Sequence, residues 1–401
     1  MRAAVTISWW RGEVLLLYLA VAVSRIAFGV MIIVFPSYLE GYSNISLAVV
    51  LALYPVLESV SAIPMGLVCD SRGRRSVFLG GLLFMGLLTV TVGFTRNLDI
   101  VAGLHSLMGI SAAAITVASL TMITDLTNVK NRGKGMGSFD FANIGGYAIG
   151  LLAGGTLETY FSSRLSDTFY ITSALLFASL FISFLVLREP AHLSTQVKFS
   201  FTPLRGLDPR TKAVLPIWLS LTSLLGIVFF LPRALKQAGI TATTTGDVLF
   251  LGIIALGIGS VGFGAVSDRL GREKTMVIGV AGLFGLLISL GLALGASGGP
   301  NFLPYLPILA PSALATSALV PSILASVGDR AAEGSRGASM ALYSLMLSLG
   351  IAVGELVAGY ASTLGGLSAI LLAGGAIFLV ASIASFAMLA RLRVKRNPAP
   401  T

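Results

Sequence analysis

Long runs of apolar residues recur along the whole chain, and they constrain its fold more than any other feature of the sequence. An α-helix needs about 20 mainly apolar residues to cross a hydrocarbon core of roughly 30 Å. The runs are too long for the strands of a membrane barrel, and they lack the period-two alternation of such strands. We therefore predict an all-α membrane protein with twelve spans, at approximately 14–36, 46–66, 76–95, 99–124, 137–157, 167–187, 214–235, 247–266, 275–296, 302–325, 338–360 and 367–390.

The composition agrees with a membrane protein and argues against an enzyme. Of the 401 residues, 55% are hydrophobic and only 11% are charged, which is more apolar surface than a soluble domain of this length can bury. The chain has two histidines, one cysteine, no paired spacing of metal ligands and no phosphate-binding loop ending in Lys-Ser or Lys-Thr. We expect neither an intramolecular disulfide nor a metal, a cofactor, ATP as the energy source or catalysis.

The positive charges lie on one side of the predicted membrane. Of 27 lysines and arginines, 22 lie in the termini and in the even-numbered connections between spans. By the positive-inside rule, both termini of this multi-pass protein of the cell membrane are then cytoplasmic. The net charge of +10 is thus explained by topology and by contact with lipid headgroups, and no nucleic-acid partner is expected.

The chain also repeats itself. The stretch GLVCDSRGRR at position 66 returns as GAVSDRLGRE at position 264, so that Gly66, Asp70, Gly73 and Arg74 are matched 198 positions later by Gly264, Asp268, Gly271 and Arg272. Asp125 and Arg132 are matched 204 positions later by Asp329 and Arg336. A duplicated six-helix unit accounts for these offsets. The predicted parts are an N-terminal bundle at 1–187, a cytoplasmic linker at 188–213 and a C-terminal bundle with a basic tail at 214–401.

The twelve spans, the repeat and the Gly-x3-Asp-x2-Gly-Arg hairpin resemble the major facilitator superfamily. The first copy fits the family's longer pattern and departs from it at Ser71, and the second departs at Glu273. The resemblance implies two six-helix bundles and a cytoplasmic latch in which Asp70 faces the start of helix eleven near Gly337. The predicted latch residues are Gly66, Asp70, Gly73, Arg74, Arg75, Asp125, Arg132, Gly264, Asp268, Gly271 and Arg272. The alternative is that the hairpin is only a topology signal.

Ionisable residues inside the spans are costly and therefore mark candidate sites. Arg25 and Glu58 lie at a similar depth, roughly 17 Å from the outer ends of their helices at 1.5 Å per residue. They form either a structural ion pair or a substrate and proton site. His105 stands four residues before Gly109, where drug-antiporter branches of the family carry an arginine, and it is either a proton carrier or a neutral packing residue. Glu355 is a second candidate for protonation.

Two further helices carry informative small or cyclic residues. Gly146, Gly150 and Gly154 in the fifth span have the four-residue spacing that lets helices pack closely. The tenth span contains four prolines: Pro304, Pro307, Pro311 and Pro321. Prolines free backbone groups and permit bending, so this span is either a gating helix or a helix with ordinary kinks.

The resemblance and the buried charges together predict a secondary active transporter that works by alternating access. The leading version is proton-coupled export of small organic molecules. One alternative is a proton symporter that imports an organic anion bound by Arg25, and another is a transporter-like receptor or sensor. The expected partners are a small-molecule substrate, protons and the lipid bilayer, and we expect a monomer.

Overall fold

The computed structural model describes residues 12–126, 132–189, 208–294, 302–328 and 336–396, and nearly all of them are helical. The first half contains α1 (Gly12–Tyr38), α2 (Asn44–Arg72), α3 (Arg74–Val92), α4 (Leu98–Leu126), α5 (Arg132–Tyr160) and α6 (Ser166–Val186). The second half contains α7 (Pro209–Gln237), α8 (Ala242–Leu270), α9 (Arg272–Leu294), a short 3-10 helix (Leu303–Tyr305), α10 (Leu306–Thr316), α11 (Leu319–Gly328) and α12 (Arg336–Arg396). The predicted all-α membrane fold is confirmed.

Ten helical segments are long and apolar enough to cross a membrane, in a search limited to the described residues. The last of them, Leu345–Leu392, is 48 residues long because it joins two of the predicted spans. Gly365 and Gly366 interrupt α12, and the φ of 59° at Gly366 is one that residues with a Cβ rarely adopt. This break lies in the predicted gap between spans eleven and twelve. The glycine-rich helix α5 is not among the ten.

The predicted tenth span is present as one apolar segment, Leu306–Ser326, in which α10 ends at Thr316 and α11 begins at Leu319. Pro321 has no N–H to donate to the carbonyl of Ser317, and its ring crowds that carbonyl. The hydroxyl of Ser260 in α8 donates to the same carbonyl at 3.4 Å. A neighbouring helix thus satisfies the backbone group that the proline leaves free. The gating role of this region stays a prediction.

The chain divides into two compact units, one of residues 1–198 with 241–250 and the other of residues 199–240 with 251–401. In the first unit α1 packs against α5, while α2 and α3 pack against α4. In the second unit α7 packs against α12, and α9 against α10. The pairs α1–α5 and α7–α12 are equivalent in the sequence repeat, so one packing scheme occurs twice. The predicted bundle limits stay a prediction, and 190–207 of the linker lie outside the described residues.

Candidate functional site

The predicted hairpin between the second and third helices turns at one glycine. Gly73 separates α2 from α3 with φ of 92°, and Gly271 separates α8 from α9 with φ of 89°. Such positive φ values are open to glycine at little cost. Gly66 and Gly264 lie inside α2 and α8 and are not part of the turn.

Each copy of the hairpin carries an ion pair across its turn. Asp70 lies 3.5 Å from Arg74, and Asp268 pairs with Arg272 in the same i,i+4 relation. The two aspartates therefore connect the end of one helix to the beginning of the next. The remaining partners predicted for the latch lie outside the side chains that the structure describes: Asp125, Arg132 and Gly337.

Glu189, which the sequence analysis did not single out, caps the third helix. Its two carboxylate oxygens accept hydrogen bonds from the backbone N–H groups of Arg74 at 2.6 Å and Arg75 at 2.9 Å. These are unpaired donors at a positive helix end, where a carboxylate is stabilising. The guanidinium of Arg75 donates in turn to the carbonyls of Leu187 and Phe184 at 2.6 Å and 2.7 Å. The end of α6 is thereby fixed to the start of α3.

The glycines of α5 bring that helix against α1, which confirms the packing interpretation of their spacing. A Cβ on Gly150 would lie 2.8 Å from the Cα of Gly29, and one on Gly154 would lie 3.0 Å from the Cα of Val30. A Cβ on Gly146 would lie 2.7 Å from the Cβ of Arg25. The two backbones therefore meet directly, and Arg25 emerges from the tightest part of this contact.

Arg25 is buried, with 9% of its surface exposed, and neutral side chains hold its guanidinium. It donates to the amide oxygen of Asn143 at 2.6 Å, to the hydroxyl of Tyr147 at 3.1 Å and to the hydroxyl of Thr116 at 2.8 Å. The guanidinium carbon also lies 5.3 Å from the centre of the Tyr147 ring. The charge in helix one is thus fixed by residues of α4 and α5.

Glu58 interacts electrostatically with Arg25 but does not bond to it. Both residues belong to the described part of the first unit, and no ion pair within 4.0 Å joins them there. The structural ion pair that their shared depth suggested is therefore absent from this conformation of the described residues. Arg25 is satisfied by hydrogen bonds instead.

His105 lies between two aromatic rings at the α2–α4 contact. Its ring stacks on Tyr54 with a centroid distance of 5.2 Å and packs on Phe35 at 4.5 Å. Gly109 makes the contact possible, because a Cβ there would lie 3.0 Å from the backbone nitrogen of Glu58. His105 is 6% exposed, and its Nδ1 has no hydrogen-bond partner in the described structure. The glycine four residues after the histidine thus positions the imidazole on the tyrosine.

A pocket inside the first unit brings Arg25 and His105 to one site. Its lining residues come from five helices and are mostly apolar, with several methionines and aromatic rings: Ser24, Arg25, Ala27, Phe28, Met31, Tyr54, Met85, Thr89, His105, Met108, Ala112, Ile115, Thr172 and Leu176. A mainly apolar cavity with a few convergent polar groups is the usual form of a small-molecule site.

Glu355 belongs to the second unit and is not part of this pocket. It is 3% exposed, and its Oε2 has no hydrogen-bond partner among the described residues. The preceding Gly354 packs against α7, where a Cβ would lie 3.0 Å from the Cα of Gly226. Gly350 and Gly354 follow Gly146 and Gly150 by 204 positions, so the close helix contact is itself duplicated.

Sequence reasoning missed the neutral residues that complete the site: Tyr54, Thr116, Asn143 and Tyr147. A signal for two of them was present. Asn143 and Tyr147 are four residues apart on α5, next to the glycines at the same spacing, and residues three or four apart share one helix face. The face that carries the glycines toward α1 therefore also carries these two hydrogen-bonding groups.

The chain is similar to known transporters in sequence and in fold. It is 25% identical over 187 residues to the multidrug resistance protein MdtG of Yersinia enterocolitica, an alignment that covers 45% of this chain and only 44% of that protein. It is 24% identical over 294 residues to MdtG of Proteus mirabilis, covering 67% of this chain and 70% of that protein. A bacterial homolog of the human lysosomal transporter Spinster superposes with a TM-score of 0.74 at 16% identity, over 97% of this chain and 98% of that structure. This last likeness shows the fold alone.

The sequence profile of the Major Facilitator Superfamily matches residues 17–299 and 214–401, which together cover nearly the whole chain. With its many apolar helices, the protein is an integral multi-pass membrane protein. Its family and fold are those of transporters, which are not enzymes. The extent of the match, the twelve predicted spans and the two hairpins with a positive-φ glycine lead to one conclusion: the chain belongs to the Major Facilitator Superfamily.

Proposed function

We propose that this transporter exports small, largely apolar organic compounds in exchange for protons. Alternating exposure of a site near the membrane midplane would carry the substrate across. The names of the MdtG relatives, which are multidrug resistance proteins, support export. The methionine and aromatic lining of the pocket supports a substrate with a mainly apolar body.

The observation that carries the coupling to protons is the environment of His105. A buried polar nitrogen without a partner is costly, so packing alone gives little reason to keep a histidine at this position. In the present conformation the imidazole packs between Tyr54 and Phe35 in the wall of the pocket. We infer that it exchanges its proton when the pocket opens, which is what coupling to alternating access requires. Glu58 and Glu355 are the other candidates for this role.

The test is transport by His105→Gln in reconstituted vesicles. We expect this variant to exchange a lipophilic dye at equal pH on both sides, and to lose accumulation of the dye driven by a pH gradient. Ser106→Ala is the matched control, because that hydroxyl only donates to the carbonyl of Gly103 in its own helix. If His105→Gln accumulates dye as well as the wild type does, the coupling role passes to Glu58 or Glu355. Dye binding without any flux would favour the receptor function instead.

The hairpin supports a second part of the proposal, namely a conformational latch. The ion pair of Asp70 with Arg74 and the bonds from Glu189 make the end of α2, the start of α3 and the end of α6 one rigid element. A rigid element at this position would move as a unit when the transporter changes state. The second hairpin has its own ion pair, between Asp268 and Arg272.

A further inference from the structure

We propose that the pocket inside the first unit binds a small amphipathic organic anion, with the anionic group on Arg25 and the apolar body among the methionines. This inference rests on the proposed transport function and names the class of its substrate. It depends on the polar groups that remain unused in the pocket, on their sign and on the nature of the wall around them.

The guanidinium of Arg25 has N–H groups that are not used in the hydrogen bonds described above. A guanidinium carries five N–H groups, and three of them donate to Asn143, Tyr147 and Thr116. Two N–H groups therefore remain on a side chain that lines the pocket. The three bonds fix the plane of the guanidinium, and a carboxylate is the acceptor that such a planar group binds best.

Two more polar groups in the pocket wall lack a partner. The hydroxyl of Tyr54 and the Nδ1 of His105 are buried and make no hydrogen bond within the described structure. Tyr54 is 5% exposed and His105 is 6% exposed. The hydroxyl is a donor, and a neutral imidazole has one N–H to offer. Buried polar atoms normally have a partner, so two that lack one in the wall of one cavity mark it as a candidate ligand site, where the hydroxyl can donate and the imidazole can donate or accept.

The charge of the pocket favours an anion over a cation. No acidic side chain is among the described residues that line it, and Arg25 is its one permanently charged group. Glu58 acts on Arg25 from outside the lining, through its electrostatic interaction. A bound cation would meet the guanidinium without a neutralising carboxylate in the wall, whereas a bound anion would neutralise it.

The rest of the pocket wall favours a ligand with an apolar body, and its flexible side chains can fit bodies of different shape. Met31, Met85 and Met108 face the cavity together with Phe28 and Leu176. Methionine side chains are flexible and polarisable, so they fit apolar groups of different outline. A sugar would leave its hydroxyl groups against this wall without partners, at a cost for each group. The geometry thus points to a small monocarboxylate with an aromatic or branched aliphatic body.

The test compares three ligands of one shape in the purified full-length protein: 1-naphthoate, 1-naphthalenemethanol and 1-naphthylmethylammonium. An apparent Kd for each follows from the dependence of Tm on its concentration. We expect 1-naphthoate to bind at least tenfold more tightly than the alcohol or the cation. Arg25→Met should remove this preference. Glu58→Gln should strengthen naphthoate binding about threefold, because it removes the negative charge that acts on Arg25.

Two variants guard against misfolding and general effects of charge. Ala112→Leu fills the lined cavity without changing any charge and should weaken naphthoate binding. Arg96→Met removes an arginine that lies 5.3 Å from the ring centre of Tyr38, outside the pocket, and should bind naphthoate like the wild type. Equal affinity for the three ligands, or weaker naphthoate binding by Glu58→Gln, would overturn the proposal. The pocket would then be a water-filled cavity and not an anion site.

A vesicle assay separates this inference from the proposed function. If the wild type accumulates dye under a pH gradient but shows no preference for naphthoate, only the anion site is wrong. If naphthoate binds with the expected preference but neither it nor the dye crosses the membrane, the site stands and the transport proposal fails.

Discussion

Replacing Arg25 by methionine tests what holds the charged side chain of helix one in place. The change keeps an unbranched side chain but removes three hydrogen bonds, to Thr116, Asn143 and Tyr147. The two hydroxyl groups can turn toward other partners, whereas the amide oxygen of Asn143 loses a donor at 2.6 Å. A buried acceptor left without its partner costs about 1–3 kcal/mol, so we expect the free energy of unfolding to fall by about 2–3 kcal/mol.

Glu58 should contribute little to that loss. An ion pair that is buried and then broken costs about 3–5 kcal/mol, but in the described first unit no ion pair within 4.0 Å joins Arg25 to Glu58. In a double-mutant cycle of Arg25→Met with Glu58→Gln we therefore expect a coupling energy of about 1 kcal/mol. Most of the cost of the arginine substitution should remain when Glu58 is already neutral.

The assay is reversible unfolding in mixed micelles, with the free energy obtained from titration with denaturing detergent. Arg25→Lys is the informative control, since lysine keeps the positive charge but cannot reproduce the three directed bonds of the guanidinium. We expect it to recover less than half of the stability lost in Arg25→Met. A coupling energy above about 3 kcal/mol, together with full recovery by lysine, would refute the hydrogen-bond account and restore the ion pair.

Two further predictions concern helix contacts. Glu189→Gln should lower the free energy of unfolding by about 1 kcal/mol, because one of the two N–H groups at the start of α3 then faces an amide nitrogen. Thermal unfolding at low salt would measure this loss. An unchanged Tm would mean that the cap contributes nothing to stability. Gly150→Ala should destabilise by about 1–3 kcal/mol, since the added Cβ would lie 2.8 Å from the Cα of Gly29. Gly145→Ala, on the same helix with nothing within 4 Å, should instead stabilise by up to about 1 kcal/mol through helix propensity. Effects of the same sign at the two glycines would contradict the close α1–α5 packing.

The features that could be predicted from the sequence are those set by neighbours along the chain. The apolar runs marked the spans, and the break at Gly365 and Gly366 fell between two of them. The hairpin turn at Gly73 follows from residues that are adjacent in sequence. The interruption at Ser317 can be predicted only in part, because the prolines of the tenth span indicate bending but not which of them divides the helix.

Of the four ionisable residues predicted for the candidate site, two line the pocket, and Glu58 and Glu355 are not among its lining residues. Arg25 and His105 stood out because charge is rare in an apolar span, and both do line one pocket. Asn143 and Thr116 are ordinary polar residues whose importance lies only in their contact with Arg25, more than 90 positions away. The capping role of Glu189 cannot be predicted from the sequence for the same reason, because its partners lie 114 and 115 positions earlier in the chain.

The modest hydropathy of α5 has a consequence for how the protein is made. Its described residues are not among the ten segments that are apolar enough to span by length and composition, and it carries Asn143 and Tyr147 toward α1. A segment of this kind partitions weakly into lipid on its own, whereas contact with α1 satisfies its polar groups and aligns its glycines. We therefore expect biogenesis to depend on the order of synthesis: α1 enters the bilayer first, and α5 is retained there when it emerges about 100 residues later because α1 is already present to receive it.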